Sequence, residues 1–191
     1  MVSSKKGVLL IHGKQRLLIE DELKKIRSKV NRDEEDFNLD IFEAGEDRLE
    51  DVLQAADTIP LGSEGRCVIL KEAQRLSSAD VKSLTAYVEN PAESCLFILA
   101  ATGLKDNSPL IKLIEKNGRI KQVDKRRDQI PGWIRSRFKE RGMEVSGKAV
   151  AYLQEALGDD LMAIESAVEK VTLYHEEIDL IDLDQVVPLV K

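Results

Sequence analysis

The sequence predicts an α/β protein in which a parallel sheet is sandwiched by helices and is followed by a small three-helix domain. Up to about Asp124, short apolar runs alternate with segments whose apolar residues recur at helical spacing. Such alternation is typical of parallel sheets with helices on both faces. After Asp124 only helical periodicity is found. We therefore divide the chain into domains at residues 1–127 and 128–191.

The first elements follow in order from the amino end. Val8–Ile11 is a continuous apolar run, as expected for a strand buried on both faces. His12-Gly13-Lys14 ends the run, and an amphipathic helix continues to about Val30. The alternating segment Phe37–Phe42 predicts a strand nearer an edge, and helical spacing over Asp47–Asp57 predicts a second helix.

The next two apolar runs, Cys67–Leu70 and Cys95–Ala101, predict strands, and the second is the most apolar and hence a central one. Between them, Ser77–Asp80 has the pattern of a capping box that opens a helix. Asn90-Pro91 ends that helix. A short helix and a last strand complete the series, at residues 110–116 and 119–123.

From Gln129 onward we expect only helices. Pro131 suits a first helical turn, and Ser146 is positioned to cap a helix that Gly158 ends. Asp159 or Asp160 starts a third helix. The final residues begin another element and stop, so we expect this chain to be a fragment of a longer protein.

Composition restricts the class of protein. With 42% apolar and 34% charged residues, the chain can build a core. It has no apolar run of about 18–20 residues that would predict a membrane helix, and no signal-peptide pattern. Cys67 and Cys95 lie in apolar runs, so we expect buried, reduced thiols and a cytoplasmic protein. The net charge of −6 argues against a surface that binds nucleic acid everywhere.

One segment, Arg119–Gly142, is nevertheless locally basic. It can be interpreted as a solvated linker and helix face, or as a surface for DNA phosphates or an acidic partner. The cations that would form such a surface are Lys125, Arg126, Arg127, Arg135 and Arg137.

The order strand, Gly13-Lys14, helix is how a phosphate-binding loop begins. One glycine cannot form the cradle of N–H groups that phosphates need, and no hydroxyl residue follows Lys14 to bind magnesium. A magnesium carboxylate is expected after the strand at Val68–Leu70, but Lys71-Glu72 stands there. We therefore predict no ATP hydrolysis. A divergent NTPase that uses Lys14 and Glu72 is the alternative.

The loop Thr58–Gly65 carries apolar residues on both sides of Pro60. Ile59 and Leu61 could enter a pocket on a partner protein, because a proline-stiffened turn presents side chains rigidly. The alternative is that both side chains close the core over the sheet.

Taken together, three stretches resemble the delta subunit of the bacterial DNA polymerase III clamp loader. They are LLIHGKQRLLIEDEL, FNLDIFEAGEDRLEDVLQAADTIPLGSEGRCVILKEA and IPGWIRSRFKERGMEVSGKAVAYLQEALGDDLMAIESAVEKVTLY. The last includes the tryptophan, the Gly-Asp turn and the pair Glu169-Lys170 of that family. The resemblance covers the whole chain.

The resemblance implies an AAA+-like fold: a RecA-like domain with a degenerate P-loop at 1–127 and a helical lid at 128–191. A collar domain, which holds the loader subunits together, would be missing. The family implies no bound ATP, cofactor or metal. Gly13, Lys14, Lys71 and Glu72 would then be remnants of a nucleotide site, and Leu161 and Met162 stand where an active lid carries an arginine.

The family also implies a partner, the sliding clamp (beta subunit), which the delta subunit helps to open for loading onto primed DNA. Two adjacent hydrophobic residues of the loop enter a clamp pocket, and the matching positions here are Leu61 and Gly62. Gly62 departs from the pattern, so Ile59 and Pro60 complete the expected clamp-binding set.

Further implied partners are the other clamp-loader subunits, through the collar, and DNA, indirectly or weakly. We expect no membrane association, a monomeric fragment and no intrinsic enzymatic activity. The chain would be a component of the DNA polymerase III holoenzyme, a nucleotidyltransferase complex, in the cytoplasm at the nucleoid-associated replisome.

Overall fold

A computed structural model describes residues 7–28, 38–61 and 65–190. The chain divides into two compact units, Met1–Asp124 and Lys125–Lys191. The boundary predicted between residues 127 and 128 falls inside a short 3-10 turn at Arg127–Gln129.

Strands and helices alternate through the first unit. The strands are β1 (Gly7–Gly13), β2 (Leu39–Glu43), β3 (Arg66–Lys71), β4 (Cys95–Thr102) and β5 (Arg119–Gln122). The helices are α1 (Arg16–Arg27), α2 (Leu49–Asp57), α3 (Ser78–Glu89) and α4 (Pro109–Asn117).

The five strands form one sheet in the order β2-β3-β4-β1-β5, and every pair is parallel. The predicted parallel sheet is confirmed, with the apolar strand β4 in the centre and β2 at an edge. The register places Leu10 between Leu99 and Ile120. Since the strands are parallel, all their carboxyl ends lie along one side of the sheet and all their amino ends along the other.

Helices cover both faces of the sheet, as the continuous apolar strands require. On one face Leu10, Phe97 and Leu99 pack with apolar residues of α2, α3 and α4. On the other face Ile69 and Ile98 pack with residues of α1 such as Leu23.

Several element ends differ from prediction. The helix α1 ends at Arg27, where the Ser28 N–H donates to the Lys24 carbonyl over 2.9 Å. The predicted end near Val30, and Phe37 at the start of the predicted second strand, lie outside the described residues. The helix α2 begins at Leu49, not Asp47, because the Asp47 carboxylate accepts the Glu43 N–H at 2.6 Å and closes a turn there.

The second unit contains α5 (Ile130–Glu140), β6 (Glu144–Val145), α6 (Gly147–Leu157), α7 (Leu161–Tyr174), β7 (Leu180–Ile181) and α8 (Leu183–Val186). The three long helices are those predicted. Ser146 Oγ accepts the Ala149 N–H at 3.2 Å and caps α6, whose end at Gly158 has a φ of +64°. Asp160 caps α7.

The expectation of helices alone in this unit is wrong. The two-residue strands β6 and β7 pair in parallel, with Glu144 beside Leu180 and Val145 beside Ile181. Hydrogen bonds continue on both sides of the pair, such as the 2.7 Å bond from the Glu144 N–H to the Asp179 carbonyl. A strand of two residues is too short to show an alternating pattern in a sequence.

Both cysteines are buried, as predicted. Cys67 lies in β3 and Cys95 in β4. Burial raises the pKa of the Cys67 thiol to about 12, and the same cause raises the pKa of Cys95. Both side chains are therefore neutral core groups at physiological pH. Within the described ranges, every helix is too short or too polar to span a bilayer.

Candidate functional site

Residues 58–61, the first part of the loop between α2 and β3, lie at the amino ends of the strands, since Leu61 bonds to the residue that directly precedes β2. After α2 ends at Asp57, the Thr58 hydroxyl donates to the Gln54 carbonyl at 2.8 Å and its N–H to the Ala55 carbonyl at 3.2 Å. These bonds satisfy carbonyls that the end of a helix leaves unpaired. The chain then leads through Ile59, Pro60 and Leu61, which we call the apolar loop.

The apolar loop presents its two largest side chains to solvent. Ile59 is 80% exposed and Leu61 is 69% exposed, whereas Pro60 is half-buried. The alternative in which both side chains close the core is therefore wrong. Large exposed apolar residues next to each other are typical of surfaces that bind another protein. Gly62, the fourth residue of the predicted set, lies outside the described residues.

A buried asparagine holds the apolar loop from beneath. Asn38, immediately before β2, is 1% exposed. Its Nδ2 donates to the Leu61 carbonyl and its Oδ1 accepts the Leu61 N–H, each at 2.9 Å. Sequence reasoning missed Asn38, because it counted this residue among the polar positions of the predicted strand Phe37–Phe42, and such a position carries no signal of a contact 23 positions away.

The predicted nucleotide position lies at the opposite, carboxyl ends of the strands. Gly13 is the last residue of β1, and a Cβ there would lie 2.9 Å from Asp124 Oδ1 and 3.1 Å from the Val123 carbonyl oxygen. Asp124 Oδ1 accepts the Lys14 N–H at 2.7 Å. The carboxylate thus accepts a hydrogen bond from a backbone N–H group of the kind that binds phosphate in a phosphate-binding loop. The Lys14 residue is exposed.

At the end of β3, the charges of Lys71 and Glu72 are engaged by α1. Lys71 Nζ lies 2.9 Å from both carboxylate oxygens of Glu20. Glu72 Oε1 lies 3.4 Å from an Arg16 nitrogen, and Glu72 Oε2 accepts from Gln74 at 2.6 Å. Across the parts of the chain that are described, no cluster of three or more His, Cys, Asp or Glu could hold a metal ion.

In the second unit, Leu161 and Met162 are the first residues of α7. Leu161 is buried in the core of the unit and Met162 is exposed. The Asp160 carboxylate accepts the Met162 N–H at 3.0 Å and the Ala163 N–H at 3.1 Å. The start of α7 is thus capped by the Asp160 side chain. Leu161 and Met162 occupy the positions where the family resemblance implies an arginine in an active lid.

The basic residues of the predicted DNA or partner surface differ in accessibility. Arg126 and Arg135 are exposed, and Lys125 is half-buried. Arg126 lies 3.3 Å from Asp128, and the exposed Arg127 lies 3.7 Å from Asp159. These exposed pairs partly cancel the local positive charge and contribute little to stability.

Arg137 does not belong to that surface, which corrects the prediction. It is buried in the second unit, with its Nε 2.8 Å from Glu165 and its Nη1 2.9 Å from Glu140. Its guanidinium lies 4.9 Å from the centre of the Trp133 ring, within range of a cation–π contact. Arg141 shares Glu165 at 2.6 Å. These contacts make Arg137 a packing residue that DNA phosphates cannot reach.

A comparison with family models and a comparison with curated proteins agree on one protein family. A family model described as "DNA polymerase III, delta subunit" matches residues 9–124. The chain is 26% identical to the DNA polymerase III subunit delta of Bacillus subtilis over 204 aligned residues, which cover 98% of this chain and 59% of that protein.

Two solved structures share the fold. The Bacillus subtilis DNA clamp loader delta protein (YqeN) has 24% identity and a TM-score of 0.66, covering 96% of this chain and 57% of that one. The RuvB Holliday junction branch migration motor of Thermotoga maritima has 17% identity and a TM-score of 0.63, covering 96% and 60%. The chain therefore spans less than two thirds of these relatives. The predicted AAA+-like fold is confirmed.

Proposed function

Because the chain belongs to the DNA polymerase III delta subunit family, as the match over residues 9–124 shows, we propose that it binds the sliding clamp through the apolar loop. In this role it helps to open the ring for loading onto primed DNA. The other clamp-loader subunits are further proposed partners, in the cytoplasm at the replisome.

One observation supports the clamp site most strongly: Ile59 and Leu61 stay exposed although both are large and apolar. Full burial of such a side chain is worth about 1.5–3 kcal/mol relative to exposure. Burial in a pocket of a partner would therefore contribute favourably to the free energy of binding. We propose Leu61 as the main anchor. Ile59 supplies the second side chain, since Gly62 has none to insert.

We further propose that this subunit neither binds nor hydrolyses ATP. Three internal contacts support this: Asp124 on the Lys14 N–H, Glu20 on Lys71, and Arg16 on Glu72. A phosphate would have to displace the Asp124 carboxylate, and a magnesium ion would approach the Lys71 ammonium group. Both steps are electrostatically unfavourable.

Calorimetric titration with the sliding clamp of the same organism tests the clamp site. We expect Leu61→Ala to weaken binding at least tenfold, or about 1.4 kcal/mol, because it removes the anchor side chain. Leu173→Ala is the matched control, since Leu173 is 64% exposed but lies in the second unit. Equal affinities for the two variants would refute the assignment of the site.

DNA binding by the basic segment is the second candidate, because Arg126, Arg127 and Arg135 are exposed. If it holds, duplex affinity falls steeply as salt rises, since each phosphate contact releases a counterion. Affinity that does not depend on salt, or no detectable binding, would exclude this candidate.

A further inference from the structure

The Asn38 carboxamide contacts both backbone polar groups of a single residue. Its Nδ2 and Oδ1 each lie 2.9 Å from their partners on Leu61. This two-bond pairing resembles the way a neighbouring strand holds a residue in a sheet. We propose that Asn38 is a positioning residue, which holds the apolar loop in the conformation that the clamp binds. The inference rests on the proposed clamp-binding function.

The geometry fixes the backbone of Leu61 and leaves its side chain outside. Both polar groups of its main chain face the buried Asn38, whereas the side chain is 69% exposed. A buried carboxamide that loses its partners is strongly unfavourable, so the side chain of Asn38 keeps Leu61 in place. The orientation of the proposed anchor is therefore set by a residue that does not touch the clamp.

Asn38 is itself joined directly to the sheet of the first unit. It directly precedes β2, whose first residue, Leu39, is in register with Cys67 of β3. The strand β3 is in turn paired with the central strand β4. Asn38 thus links the apolar loop to the sheet by a second route, in addition to the covalent chain that leads from the loop into β3.

Such a link affects binding through pre-organisation. A loop that spends only a fraction of its time in the binding conformation binds more weakly by that fraction. If removal of the Asn38 carboxamide lowers the population of the bound conformation to about one tenth, the Kd for the clamp rises about tenfold. The exposed apolar side chains themselves are unchanged.

Amide hydrogen exchange tests the hold on the loop without any partner. In Asn38→Ala we expect the Leu61 N–H to exchange at least about tenfold faster, while the amides of β4 keep their protection. Asn38→Leu, which has a similar size and loses both the donor and the acceptor, is the second variant should alanine prevent folding. Asn107→Ala, at an exposed position after β4, is the control. Unchanged exchange of Leu61 in both Asn38 variants would overturn the inference.

A double-mutant cycle on clamp affinity separates this inference from the proposed function. We expect Asn38→Ala to weaken clamp binding about tenfold in the wild-type chain and to have a smaller effect in a Leu61→Ala background, where only the Ile59 side chain still depends on the conformation of the loop. A loss of the same size in both backgrounds, or no loss in either, would overturn the role of Asn38. If instead Leu61→Ala itself leaves the affinity unchanged, the proposed clamp site fails, and with it the inference.

Discussion

At the scale of residues, a glycine is required at position 13 because Asp124 and Val123 lie close to its Cα. It lies inside β1, and the space that a side chain would occupy is taken by Asp124 and Val123. The position of Gly13 between a strand and a helix would by itself suggest that the glycine serves a turn. The sequence shows only that a glycine precedes a lysine, whereas the reason for it comes from a segment 110 positions away from Lys14.

We predict that Gly13→Ala lowers the free energy of unfolding by about 1–3 kcal/mol, because the new Cβ would lie 2.9 Å from Asp124 Oδ1. Urea denaturation measures the change. Gly65→Ala is the control in the same unit, since a Cβ there would be 3.5 Å from the Ser94 carbonyl oxygen, an ordinary contact. Equal losses for both variants would contradict the explanation.

The Asp182 carboxylate predicts a pH dependence in the second unit. It accepts the Ser146 hydroxyl at 2.6 Å and the Leu183 N–H at 2.8 Å, and the hydroxyl in particular lowers its pKa below the ordinary 3.8. A lowered native pKa stabilises the fold above pH 3.8, and the stabilisation is lost as the pH falls through the native value.

We therefore expect Asp182→Asn to be less stable than wild type at neutral pH, with the difference disappearing in acid. Denaturation at a series of pH values measures it, and the exposed Asp184→Asn, two positions later in the first turn of α8, is the control. A difference that stays constant down to pH 2, well below the pKa of an ordinary aspartate, would disprove the role of Asp182.

At the scale of elements, features that depend on residues close together in sequence could be predicted, whereas features that depend on contacts between distant residues could not. The caps at Ser77 and Ser146 were predicted, and Asp160 was one of two candidates, because a cap and the N–H that it binds lie within three residues of each other. The strands β6 and β7 were missed, since each has two residues and depends on a partner that lies far along the chain. The hold of Asn38 on the apolar loop was missed for the same reason.

The capping box of α3 gives a test at this scale. Ser77 Oγ accepts the Asp80 N–H at 3.1 Å, and Asp80 Oδ2 accepts the Ser77 N–H at 2.9 Å. We predict that Ser77→Ala costs about 1 kcal/mol of stability, measured by chemical denaturation. The neighbouring Ser78→Ala should change stability by only a few tenths of a kcal/mol, since alanine suits a first helical position. The reverse order would contradict the assigned cap.

At the scale of the whole molecule, the two ends of the sheet in the first unit have different properties. At the carboxyl ends, where a phosphate loop would bind a nucleotide, Asp124, Glu20 and Arg16 engage the Lys14 N–H, Lys71 and Glu72, respectively. At the amino ends, the apolar loop leaves Ile59 and Leu61 exposed. We infer that the fold supports a protein-binding loop, and that the residues at the degenerate nucleotide position make internal contacts that stabilise the fold.

The family could be predicted from the sequence because weak patterns occur in the right order along the whole chain. No single stretch has a catalytic signature, yet the aligned region with the Bacillus subtilis relative covers 98% of the chain at 26% identity. The fold class followed from periodicity. The conformation of the candidate site did not, because the exposure of Leu61 is decided by tertiary contacts.

We propose that this chain binds a sliding clamp without the help of ATP. The most direct test is a calorimetric titration of the wild-type chain with the clamp of the same organism, first without nucleotide and then with Mg-ATP. We predict a Kd in the micromolar range or tighter that Mg-ATP leaves unchanged. No detectable binding, or binding that requires Mg-ATP, would contradict the account.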